Sequence, residues 1–123
     1  MNKKALVVDD NENNLMLEKD LLEVAGLEVI TANNAAAAIA LAQKEKPDII
    51  IMDVRLPDML GSTVAALLRQ DKDTSAIPIV FVTASVTADG RGLIENITNG
   101  GFIAKPINTR TFADEVKGYL RHD

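Results

Sequence analysis

The chain has no cysteine among its 123 residues, which excludes a disulfide framework, a zinc–thiolate centre and a thiol nucleophile. Long hydrophobic runs are also missing. The longest, Ala35 to Ala42, falls far short of the about 20 apolar residues a membrane helix needs. Lys3 and Lys4 are followed only by Ala5 to Val8 before Asp9 intervenes, too short a stretch for a signal-peptide core. Positive charge is in deficit: 13 Lys+Arg against 18 Asp+Glu leave a net charge of −5. Binding to nucleic acid depends on basic patches that neutralise phosphates, so direct nucleic-acid contact is not expected. What is present is ordinary for a globular domain, with 47% apolar and 25% charged residues. The length suits one domain, since domains run to about 100–200 residues, and a chain of this size buries roughly two-thirds of its unfolded surface. A single cytoplasmic domain spanning residues 1–123, with no membrane contact, is the expectation.

Short apolar runs alternate with stretches of helical period. The strand candidates are Ala5–Val8, Glu28–Thr31, Ile49–Met52, Ile79–Val82 and Phe102–Ala104. Several are apolar at every position and rich in Val and Ile, as in parallel strands covered on both faces. Between them, Leu17, Leu21 and Val24 fall at helical spacing, with Gly26 where a helix C-terminus belongs. Ala35, Ala38, Ile39 and Ala42 repeat that spacing, with Asn33 or Asn34 as N-cap and Pro47 just past the end. A third helix is expected from Gly61–Ser62, with Val64, Leu67 and Leu68 on one face. A fourth lies in Thr87–Thr98, weakened by Gly90 and Gly92, each costing about 1 kcal/mol relative to Ala in a helix interior. The fifth carries the stripe Phe112, Val116, Tyr119, Leu120, with Asn108 as its cap. Five β–α units in sequence imply an α/β, doubly wound parallel sheet with helices on both faces.

In such a sheet, ligands bind outside the carboxyl ends of the strands. Strand one ends in Asp9-Asp10, strand three in Asp53, strand four in Thr83-Ala84 and strand five in Lys105-Pro106. Carboxylates about 4 Å apart repel by roughly 4 kcal/mol per pair at an effective dielectric near 20. A hard divalent cation sharing the cluster removes that cost, and Mg²⁺ takes carboxylates, carbonyls, waters and phosphoryl oxygens. A carboxylate surrounded by a metal, an ammonium and a hydroxyl suits phosphoryl transfer to Asp, forming an acyl phosphate. The formal charges nearly balance: Asp9 and Asp10 with a phosphoaspartate carry about −4, against +3 from Mg²⁺ and Lys105.

These residues resemble the receiver domain of two-component response regulators, the CheY-like (flavodoxin-like) fold, over essentially the whole chain. The resemblance is carried by Val7-Val8-Asp9-Asp10-Asn11, by Pro47-Asp48 and Ile49 through Pro57, by Gly61, by Pro78 through Ala84, and by Phe102-Ile103-Ala104-Lys105-Pro106. It implies a five-stranded sheet of order 2-1-3-4-5 with five helices, in a stand-alone, single-domain regulator. Asp53 matches the phosphoacceptor. Asp10, and Asp9 partly through water, match the acids that hold Mg²⁺ (or Mn²⁺ in its place), with Asp53 and the main-chain carbonyl of Arg55 as further ligands. Thr83 would hydrogen-bond the phosphoryl group with help from the Ala84 amide, and Lys105 would pair with Asp53 or its phosphoryl oxygens. Thr83 and Phe102 occupy the family's switch positions. The expected partners are a histidine kinase or histidine phosphotransfer protein upstream and a protein target downstream. The chain is expected to be a monomer, with dimerisation on phosphorylation left open, and not an enzyme beyond its own phosphorylation and slow autodephosphorylation.

Plainer readings exist for each residue. Asp9-Asp10 suit the start of a helix, Phe102 suits a core that never moves, and Asp58 and Met59 read as ordinary loop residues. His122 is not expected to be catalytic. The family's usual Gly-Ala pair, seven and six residues before the lysine, is replaced by Thr98 and Asn99, with Gly100 and Gly101 following, so a mobile fourth helix and a rebuilt output surface are expected. An aspartyl-phosphate hydrolase would want a second acid two residues after the nucleophile, where Arg55 stands. A nucleotide or flavin site would want a glycine- or hydroxyl-rich phosphate loop after strand one, where Asp9-Asp10-Asn11-Glu12 would repel phosphate. A receiver-like scaffold that no longer switches is the remaining alternative.

Overall fold

The structure, a computed structural model, describes residues 3–54, 56–83, 101–104 and 107–120. The elements run β1 (Lys4–Val8), α1 (Glu12–Val24), β2 (Glu28–Ala32), α2 (Ala35–Glu45), β3 (Ile49–Asp53), α3 (Gly61–Gln70), β4 (Ile79–Thr83), β5 (Phe102–Ala104) and α4 (Phe112–Tyr119). The strands form one five-stranded sheet in the order β2-β1-β3-β4-β5, and every neighbouring pair is parallel. Four helices lie among the described residues. The helix expected in Thr87–Thr98, with its glycines, lies outside them.

Successive residues of a strand point to opposite faces, and here each face becomes its own core. Leu6, Val8, Ile50, Met52, Ile79 and Phe81 meet Ala35, Ala38 and Ala42 of α2 and Val64, Ala65 and Leu68 of α3. Ala5, Val7, Ile49, Ile51, Val80 and Val82 meet Leu22 of α1 and Phe112 and Val116 of α4. That double coverage is why β1, β3 and β4 read as unbroken apolar runs. The edge strand β2 is more exposed along its length.

Local signals set most helix ends. Asn11 caps α1 by accepting the Asn14 N–H at 3.1 Å. At the other end Gly26 adopts φ 96°, a conformation natural to glycine. There Gly26 N–H donates to Glu23 O and Leu27 N–H to Leu22 O, each at 3.0 Å, which stops the helix. Of the two candidate caps of α2, Asn34 is the one used. In the turn from α3 to β4, the Arg69 guanidinium donates to the carbonyls of Thr74, Ser75 and Ile77 at 3.3, 2.7 and 2.8 Å.

Three expectations need correcting. The buried face of α1 carries Glu18 and Leu22, with Leu15 and Leu21 partly buried; Leu17 is 40% and Val24 89% exposed. A charged residue within the covered face disguised the true stripe. On α3, Leu67 is 42% exposed while Val64, Ala65 and Leu68 are buried. At the last helix the N-cap is Thr111 rather than Asn108. The Asn108 side chain instead accepts the Arg110 N–H at 2.9 Å, and its carbonyl accepts those of Thr111 and Phe112, so it closes the turn leading into α4.

Candidate functional site

Strand register brings the chemistry-bearing residues to one edge of the sheet. Val8 pairs with Met52, so Asp9, the next residue of the first chain segment, leaves β1 beside Asp53 at the end of β3. Asp53 pairs with Val82, and Thr83 follows on β4 opposite Ala104. Phe102 opens β5 opposite Phe81. The three expected residues Arg55, Ala84 and Lys105 lie outside the described residues.

Asp9 is almost wholly buried. Its Oδ1 accepts the Asn11 N–H at 2.8 Å, and its own N–H donates to the Ala32 carbonyl at 3.2 Å, so it ends the β1–β2 ladder and starts α1. Asp10 is exposed and Asp53 half-buried. Each of the three offers a carboxylate oxygen, and these oxygens lie within 4.8 Å of one another. At that spacing each pair of charges repels by about 3–4 kcal/mol at an effective dielectric near 20. An all-oxygen set of this kind suits a hard divalent cation such as Mg²⁺, not a softer metal that favours nitrogen or sulfur. The residues present therefore fit the cation that the sequence implied.

The loop after Asp53 holds two features the sequence concealed. A Cβ on Gly61 would stand 2.6 Å from Phe81 Cε1, 2.8 Å from the Asp53 carbonyl oxygen and 3.1 Å from that of Val54. Only glycine lets α3 begin this close to the end of β3, where Gly61 N–H donates to Val54 O at 2.6 Å. Asp58, expected to be an ordinary loop residue, accepts the Ala35 and Ala36 N–H groups at 2.8 and 3.0 Å and so caps α2 from a distant part of the chain. Those bonds hold its carboxyl below the usual carboxylate range. Met59, also expected to be a plain loop residue, packs partly buried on the core beneath α2 and α3. No sequence spacing could have signalled either Asp58 or Met59, because their partners are brought up only by folding.

The model of the response regulator receiver domain matches residues 5–117. The chain belongs to the response regulator receiver domain family. It is 38% identical over 123 residues to the polar-differentiation response regulator DivK of Brucella anthropi, covering 98% of each chain. To the DivK of Brucella ovis it is 37% identical over the same span. Among solved structures, it superimposes on the chemotaxis response regulator CheY4 of Vibrio cholerae with a TM-score of 0.91 at 29% identity, covering 98% of this chain and 100% of that one. A CheY-like receiver domain protein from Methanospirillum hungatei gives 0.87 at 26% identity, covering 96% and 93%. The expected CheY-like α/β architecture with a parallel sheet is borne out, and the receiver domain is a component of two-component signalling. No described helix is long and apolar enough to cross a membrane.

Proposed function

We propose that this receiver accepts a phosphoryl group on Asp53 and that the charge change switches a protein-interaction surface. The observation that supports this most directly is the convergence of Asp9, Asp10 and Asp53 at the carboxyl end of the central strands. In the transfer, the N–P bond of a phosphohistidine on a kinase or phosphotransfer protein breaks, an Oδ–P bond to Asp53 forms, and the released imidazole takes up a proton. Asp9, Asp10 and Asp53, with the Arg55 carbonyl, would hold Mg²⁺ (Mn²⁺ serving in its place). Bound there, the cation supplies neutralisation of the charge on the phosphoryl oxygens.

The remaining roles belong to this chain's side chains. Asp9, whose Oδ1 accepts the Asn11 N–H, offers a carboxylate oxygen within 4.8 Å of those of Asp10 and Asp53. Thr83 and the Ala84 amide would bond phosphoryl oxygens, and Lys105 would offset the charge that stays on Asp53. In our reading, movement at Thr83 is coupled to Phe102 and reaches a downstream protein through a two-state repacking. The protein acts as a signalling module rather than a turnover enzyme, and water slowly removes its phosphoryl group. Incubation with acetyl phosphate and Mg²⁺ should label the wild type stoichiometrically and leave Asp53→Asn unlabelled. Full labelling of that variant would defeat the assignment.

A further inference from the structure

The loop leaving Asp53 is tied to the rest of the molecule by a residue that has no assigned part in the pocket. Asp58 accepts the Ala35 N–H through Oδ1 at 2.8 Å and the Ala36 N–H through Oδ2 at 3.0 Å. The next two donors of α2 are met locally, Ala37 by the Asn34 side chain at 2.8 Å and Ala38 by the Asn34 carbonyl at 3.1 Å. Asn34 alone is the cap a helix ordinarily draws from its own sequence. The Asp58 pair is an addition that links two elements, and its negative charge sits at the positive end of the α2 dipole.

Inside the loop the anchor is passed back toward Asp53. Leu56 N–H donates to Met59 O at 3.3 Å, and Gly61 N–H closes the base of the loop on Val54 O. Leu56 is buried and Val54 and Met59 are packed on the core between the sheet and α2. These two bonds and the packing of Val54, Leu56 and Met59 lie between the Asp58 anchor and the end of β3. The three pocket carboxylates repel one another, and a loosely held loop would let Asp53 retreat from Asp9 and Asp10.

We propose that Asp58 is a positioning residue: by docking the β3–α3 loop on the first turn of α2, it holds Asp53 at the distance from Asp9 and Asp10 that a divalent cation requires. The proposal rests on the reading of Asp53 as phosphoacceptor given above. It is tested by Mg²⁺ titration calorimetry and acetyl phosphate labelling of wild type, Asp58→Ala, Asp58→Asn and Asn34→Ala. The last variant removes the local cap of the same helix and leaves the loop anchored. Asp58→Ala should weaken Mg²⁺ binding by about tenfold, the scale at which groups supporting a metal's ligands act. Asp58→Asn, with one acceptor oxygen in place of two, should fall between it and wild type. Asn34→Ala should lower the thermal midpoint and keep the wild-type Mg²⁺ affinity.

Equal loss of affinity in Asp58→Ala and Asn34→Ala, or no loss in either, would overturn the proposal. Should Asp58→Ala fail to fold, Asp58→Asn against Asn34→Ala makes the same comparison. Normal labelling with unchanged Mg²⁺ affinity in the Asp58 variants would sink the positioning role and keep Asp53 as acceptor. Asp58-dependent Mg²⁺ binding in a wild type that never labels would do the reverse.

Discussion

Gly61 lies against Asp53 so closely that a side chain on it would stand 2.8 Å from the Asp53 carbonyl oxygen. The start of α3 and the end of β3 are therefore fitted to each other, and the pocket inherits that fit. Gly61→Ala should destabilise the domain by about 1–3 kcal/mol, the usual cost of overpacking. The Asp53 oxygen is backbone, which cannot rotate away. A urea midpoint unchanged from wild type would contradict this.

Repulsion among the carboxylates should be measurable without any phosphoryl donor. In the absence of Mg²⁺, Asp10→Asn should raise stability by on the order of 1 kcal/mol, a figure already reduced for the screening of an exposed charge. With Mg²⁺ in excess the order should reverse, because the variant has lost a ligand while the wild type gains stability from binding. Thermal melts of both proteins with EDTA and with Mg²⁺ decide the matter; a wild type indifferent to Mg²⁺ would fail the prediction.

Asp58 should also leave a mark on acid stability. The Ala35 and Ala36 N–H groups hold its carboxyl below the usual range in the folded chain. The unfolded chain then binds the proton more readily, so the stabilisation is complete above the ordinary carboxylate range and is lost as pH falls through the folded value. Asp58→Asn cannot titrate, and its stability should decline less steeply into acid than that of wild type. Parallel curves from denaturant titrations over that range would show that the two bonds carry no linkage.

The two faces of α1 offer a contrast that the apolar pattern alone would misjudge. Leu22 is fully buried, and Leu22→Ala should cost about 2–5 kcal/mol. Val24 is 89% exposed, and Val24→Ser should stay within about 0.5 kcal/mol of wild type. Comparable losses in the two variants would mean that the helix is rotated from the orientation described.

Much of the molecule was legible before folding was considered, because the signals were local. Unbroken Val and Ile runs marked β1, β3 and β4 as parallel strands covered on both sides. Gly26 and the Asn33-Asn34 pair marked helix ends through signals within a turn of themselves, and Asn34 is the cap used. The acids were legible for the same reason: Asp9, Asp10 and Asp53 each stand where a strand finishes, and a parallel sheet brings such ends together. Register makes the ends of β1 and β3 neighbours, and there the three carboxylates offer oxygens within 4.8 Å of one another.

Other features depended on what lay opposite. Apolar period suggested Leu17, Leu21 and Val24 as the packed stripe of α1, yet Glu18 and Leu22 are covered, because periodicity reports surface that can be buried and not the neighbour that buries it. Asp58 looked like a loop acid until α2 arrived to donate to it, and Gly61 starts α3 as expected, but only folding shows that Phe81 and the Asp53 carbonyl leave no room there for a side chain. Short-range patterns along the chain settle the order of elements and the residue types at the sheet's carboxyl edge. Which faces meet and which loop is anchored to which helix is settled by folding, since those contacts join residues far apart in the chain and exist only once the sheet has assembled.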